Sequence, residues 1–149
     1  MSAYKKIVVG TDGSATATMA VDRAARIAAD LDAELVIVTA YQSADRRDTT
    51  SAQDALREDS YLVVGANPAE SMLRDAAARA RAAGAQRVTT RAVEGRPVPV
   101  LDHVVTDTAA DLIVVGNVGL NTLTGRILGS VPQNLSRRTG VDILIVHTS

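Results

Sequence analysis

Ala110-Asp111-Leu112-Ile113-Val114-Val115-Gly116 is the stretch on which the fold turns. Its apolar residues are continuous rather than alternating. A strand of that kind must be covered on both faces, as strands of parallel sheets are. Asp111 marks a solvated start and Gly116 a tight exit. The same pattern recurs along the chain. Lys6-Ile7-Val8-Val9 ends at Gly10, Glu34 precedes Leu35-Val36-Ile37-Val38, and Asp142 precedes Ile143-Leu144-Ile145-Val146. A fifth, more polar run from Arg87 to Val93 sets Val88, Thr90 and Ala92 against Thr89, Arg91 and Val93, and reads as an edge strand.

Helical patterns fill the intervals. Residues 15–31 place Ala20, Val21, Ala24, Ile27, Ala28 and Leu31 on one face. Asn67-Pro68-Ala69-Glu70 reads as a helix start, with Asn67 as N-cap, Pro68 at N1 and Glu70 at N3. That helix turns Met72, Leu73, Ala76, Ala77 and Ala80 inward, and Gly84 ends it. Residues 98–108 offer Leu101, Val104 and Val105. Ser130-Val131-Pro132-Gln133 reads as a capping box opening a last helix that Gly140 stops, with Arg137 and Arg138 at its negative end. Residues 41–66 show no periodicity and read as a long surface excursion, with room for a short helix around 52–58.

Strands alternating with helices predict the α/β class: a doubly wound, open, parallel five-stranded sheet. The expected strand order is 3-2-1-4-5, with the topological switch between the first and fourth strands. Ligands of such sheets bind beyond the carboxyl ends of the strands at the switch. The segments after Val9, Val38 and Val115 should therefore build the site. A chain of 149 residues suits one domain, spanning 1–149.

Composition excludes several classes. The chain has 16 Lys and Arg against 17 Asp and Glu, a formal net charge of −1. Nucleic-acid binding usually needs a basic surplus, so no nucleic-acid partner is expected. Cysteine, phenylalanine and tryptophan are absent, which removes disulfides, thiol catalysis and Cys-ligated metals. Only His103 and His147 remain as imidazoles. Neither has a Ser or Asp partner at a readable spacing, so no catalytic residue and no metal site is expected. No apolar stretch approaches the roughly 18 residues of a membrane span, and the N-terminus lacks a signal-peptide pattern. A soluble, cytoplasmic protein is expected.

Chemistry concentrates in two segments. After the fourth strand, residues 116–130 read G-x2-G-x9-G-S, with Gly116, Gly119, Gly129 and Ser130 at the marked positions. Gly116 and Gly119 permit positive φ and close backbone approach to a ligand. Gly129 and Ser130 stand at a helix N-terminus, where free amides and the positive dipole end attract phosphate. A tight turn plus a Ser130–Gln133 capping box explains the same residues without a ligand, but their place at the switch point favours phosphate binding. After the first strand comes Gly10-Thr11-Asp12-Gly13-Ser14. Asp12 can accept bonds from ribose hydroxyls; as a turn residue beside a Ser14 N-cap it would have a purely local role.

These segments, with Ala110–Gly116 and Val141–Val146, resemble the universal stress protein family along nearly the whole chain. The resemblance implies an adenine nucleotide alpha hydrolase-like sheet, homodimers, and, for members carrying the glycine loop, binding of ATP or another adenine nucleotide. It implies Asp12 as the ribose-contacting acid and Ala40 as a backbone contact to adenine. Val115 and Gly116 would line ribose and phosphates, and Gly119, Gly129, Ser130 and Val131 would form the phosphate loop and helix start. Gly10 and Thr11 lie in the same first segment. Relatives with this loop often carry Ser or Thr after the first glycine and Arg or His before the second; here Asn117 and Val118 stand there. Arg126 is the loop's only cation. Some family members bind cyclic AMP, whose single charge suits such a loop better than a triphosphate. The expected ligand is therefore cyclic AMP or ATP, leaning to the former, with Mg²⁺ a companion of ATP only. Gly10, where larger residues often stand, should leave extra room near the nucleotide.

The expected role is nucleotide sensing or buffering without catalysis. The alternatives are an interaction module with an architectural loop, and a slow ATP hydrolase. Walker A is absent, and the acids and lysine of a receiver domain are missing. The strand Ile143-Leu144-Ile145-Val146 should lie at one sheet edge without the Lys, Pro or bulge that blunts edges. Antiparallel pairing with the same strand of a second copy is expected, giving a two-fold dimer.

Overall fold

A computed structural model of the protein describes residues 2–43, 63–117 and 130–148. The described elements are β1 (Lys6–Gly10), α1 (Ala15–Leu31), β2 (Glu34–Gln42), β3 (Val63–Val64), α2 (Ala66–Ala82), β4 (Arg87–Glu94), α3 (Pro97–Thr108), β5 (Leu112–Gly116), α4 (Ser130–Arg138) and β6 (Asp142–Val146). The five long strands are parallel and lie in the order β4-β2-β1-β5-β6. This is the expected 3-2-1-4-5 sheet. β4 is an edge strand, paired to β2 over Glu34–Tyr41.

The continuous apolar runs have the predicted cause. Ile7, Val9, Leu35, Ile37 and Val114 face α1 and α2, where they meet Ala20, Ala24, Leu73 and Ala77. Val8, Val36, Val38, Ile113 and Val115 face the other way, packing with Leu101, Val104 and Leu135 of α3 and α4. Alternate residues of one strand thus enter two separate cores. The Asp111 carboxylate fixes the register of β1: it accepts the Lys5 amide at 3.0 Å and the Lys6 amide at 3.1 Å.

The structure corrects the sequence reading in three places. β2 runs on to Gln42, because Thr39, Ala40 and Tyr41 continue its pairing with β4 and Tyr41 and Gln42 pair with β3. β3 falls within the stretch expected as a surface excursion; two residues carry no periodicity, and only their pairing with β2 makes them a strand. α2 begins at Ala66, and Asn67 is inside it rather than its cap. Gly65 flanks the helix with φ 88° and no side-chain cap, and its amide donates to the Gln42 carbonyl at 2.8 Å. That bond ties the start of the helix to the end of β2. The helix expected around 52–58 lies outside the described residues. Among the described residues, no helix is long and apolar enough to cross a membrane.

Candidate functional site

An open crevice with an enclosed volume of about 80 Å³ lies at the carboxyl ends of β1, β2 and β5. Gly10, Thr11, Asp12, Ala40, Val115, Gly116 and Val131 all line it. Four separate segments are therefore brought together at the switch point, as the topology requires. Gly119 and Gly129 lie outside the described residues. Ser130 opens α4, directly before Val131.

The sequence did not single out Thr16, Ala17, Val38, Pro97 and Pro132 for this wall, and it read Leu101 as core alone. Three of these had a readable signal. Thr16 and Ala17 form the first turn of the helix that follows Asp12, and Pro97 follows the end of β4. Leu101 is both core and wall, 4% exposed.

Local hydrogen bonding explains how Asp12 is held. Ser14 caps α1, its Oγ accepting the Ala17 amide at 3.2 Å. Asp12 Oδ1 accepts the Ser14 amide at 2.9 Å, and Thr11 Oγ1 accepts the Gly13 amide at 3.1 Å. The Thr11 amide donates to the Val38 carbonyl at 2.9 Å, prolonging the β1–β2 ladder. So the turn role weighed for Asp12 uses one carboxylate oxygen. The other, Oδ2, is buried and has no hydrogen-bond partner; Thr39 Oγ1 is the second such atom among the described residues. A buried acceptor left unpaired costs about 1–3 kcal/mol.

Asp12 is also the sole ionisable side chain among the described lining residues. Positive potential comes from backbone instead. The first turns of α1 (Thr16, Ala17) and α4 (Val131, Pro132) both reach the crevice, and each helix N-terminus carries roughly +0.5 of an elementary charge. Val38, Ala40, Pro97 and Leu101 supply an apolar wall.

Two expectations about glycines are revised. Gly10 does not leave free room: a Cβ there would meet Leu101 Cδ2 at 3.2 Å, so a core leucine takes the space. Gly116 does not use positive φ; in this region Gly13 does, with φ 84°.

The sequence model of the universal stress protein family matches residues 3–147. The universal stress protein Rv1636 of Mycobacterium tuberculosis is 53% identical over 151 aligned positions, covering the whole of both chains. A universal stress protein crystallised in complex with cAMP is 46% identical, covers 99% of this chain with all of its own, and superposes with a TM-score of 0.76. A universal stress protein of Archaeoglobus fulgidus in complex with dAMP is 19% identical, matches 95% of this chain with 97% of its own, and has a TM-score of 0.67. At that identity the likeness is one of fold.

Proposed function

The chain belongs to the universal stress protein family, and from that premise we propose that it binds an adenine nucleotide in the crevice, cAMP before ATP, and senses or buffers it without turnover. The observation that carries this reading is the orphaned Oδ2 of Asp12, buried at a crevice flanked by two helix N-termini. A ribose hydroxyl donating to Oδ2 removes the penalty of an unpaired acceptor. The purine then lies against Val38, Ala40, Pro97 and Leu101, and the phosphate faces Gly116 and the start of α4 at Ser130 and Val131. The relative crystallised with cAMP, 46% identical over nearly the whole chain, supports the same ligand class.

Charge decides between the two nucleotides. Two helix termini of roughly +0.5 each match one phosphate charge and fall well short of the approximately four of a triphosphate. Mg²⁺ would enter only as a companion of ATP; among the described lining residues Asp12 offers the one carboxylate. Calorimetric titration with cAMP, and with ATP with and without Mg²⁺, tests the reading. Micromolar binding of cAMP, tighter than ATP, is the expected result. ATP binding the more tightly reverses the preference, and no binding of either below millimolar concentration overturns the proposal.

We also propose a homodimer through β6. Among the described strands β6 pairs only with β5, and Ile143, Leu144 and Ile145 are half-buried. Antiparallel pairing with a second copy satisfies that edge and buries these side chains.

A further inference from the structure

Asn117 stands directly after Gly116, the last residue of β5 and part of the crevice wall. It is 4% exposed. Its amide donates to the Val146 carbonyl at 2.8 Å, which adds one main-chain rung to the β5–β6 ladder. Its side chain then supplies a further rung. Oδ1 accepts the Thr148 amide at 2.8 Å and the Thr148 hydroxyl at 3.2 Å. A side-chain amide carbonyl is chemically a peptide carbonyl, so it can hold the segment after β6 where no main-chain acceptor serves. Thr148 in turn packs over Gly116. A Cβ at position 116 would meet Thr148 Cγ2 at 3.6 Å and the Thr16 carbonyl at 3.9 Å. Gly116, Thr148 and the first turn of α1 therefore form one packed corner, and two of its three parts line the crevice.

We infer that Asn117 is a positioning residue: by latching Thr148 it fixes the Gly116 corner, so that the residues after β6 help hold the nucleotide. The inference rests on the nucleotide reading above. Thr148 reaches the site only through Asn117 and Gly116, and the bond donors it uses are a single amide and a single hydroxyl. Removing either end of the latch should then have the same consequence, and removing both should add little.

The test measures cAMP affinity by calorimetry for wild type, Asn117→Ala, a chain truncated after Val146, and the two changes combined. Each single change should weaken cAMP roughly tenfold, the worth of one buried hydrogen bond, and the combination should be far from additive. Thr148→Ser keeps both donors and should stay within about twofold of wild type. Amide exchange at Thr148 should accelerate in Asn117→Ala with or without nucleotide. Circular dichroism checks folding; if Asn117→Ala does not fold, the truncation, which leaves residues 1–146 intact, carries the test. Wild-type affinity in the singles, additive losses in the combination, or unchanged exchange at Thr148 overturns the latch. A wild type that binds no cAMP overturns the nucleotide reading, and the latch's role with it.

Discussion

Leu101 occupies the space that a side chain at position 10 would need: a Cβ built on Gly10 stands 3.2 Å from its Cδ2 and 3.3 Å from its Cδ1. Both residues line the crevice, so the shape of its apolar wall depends on a contact between β1 and α3. Gly10→Ala presses on the tip of a flexible side chain rather than on backbone. It should fold, losing about 1 kcal/mol, the low end for overpacking, and should weaken cAMP by displacing Leu101 into the crevice. Leu101→Val added to it should recover both losses. Denaturant titration and calorimetry on the two variants check this, and no recovery in the pair refutes the contact.

Gly13 and Gly116 should respond oppositely to alanine. Gly13 has φ 84°, and a Cβ there would lie 2.5 Å from Met72 Sδ. Gly13→Ala should cost about 1–3 kcal/mol from backbone strain alone, and Met72→Ala should relieve only part of it. Gly116 has no such φ, and its nearest neighbour would be at 3.6 Å. Gly116→Ala should keep the thermal midpoint within a few degrees, while calorimetry reports weaker cAMP binding.

Asp12→Asn keeps an acceptor for the Ser14 amide but replaces the unpaired buried acceptor Oδ2 with a donor. The expected outcome is a loss of roughly tenfold or more in cAMP affinity with the fold intact. Asp12→Ala should lose affinity and, by freeing the Ser14 amide, stability as well. Unchanged affinity in Asp12→Asn would remove the ribose role.

Sedimentation tests the β6 dimer. Wild type should be dimeric at micromolar concentration, and Ile145→Lys and Ile145→Pro should be monomeric. A monomeric wild type, or a dimer that survives both changes, rules out β6 as the interface.

Asp107 lies beside Arg91, whose Nη1 donates to Oδ2 at 2.6 Å; that bond and the guanidinium charge hold the Asp107 carboxyl below its usual value. Because the folded-state value is lowered, the pair stabilises the fold at pH values above the ordinary carboxylate range. The contribution is lost as pH falls through the lowered value. Carboxyl NMR titration should place Asp107 below the ordinary aspartate value, and Arg91→Gln should raise it toward that value.

The sheet was legible in the chain because it follows from burial. Runs such as Leu112–Val115 must be covered on both faces, and strands alternating with helices predict a doubly wound order. Asp12 and Gly116 could be placed at one site for the same reason, since the switch point is a property of that order, whereas Val131 was legible only through the family resemblance. The far end of β2, β3 and the start of α2 at Ala66 were not legible. Thr39–Gln42 and Val63–Val64 are strands only because β4 and each other supply hydrogen bonds, and no local pattern encodes a distant partner. The same holds for the finer shape of the site. Leu101 filling the space at Gly10, and Thr148 held by Asn117, join residues 91 and 31 positions apart. Sequence alone sets which residues must be buried and that strands and helices alternate in a doubly wound sheet. Which atoms then touch is decided by close packing, where differences of a few tenths of an ångström determine whether a contact forms.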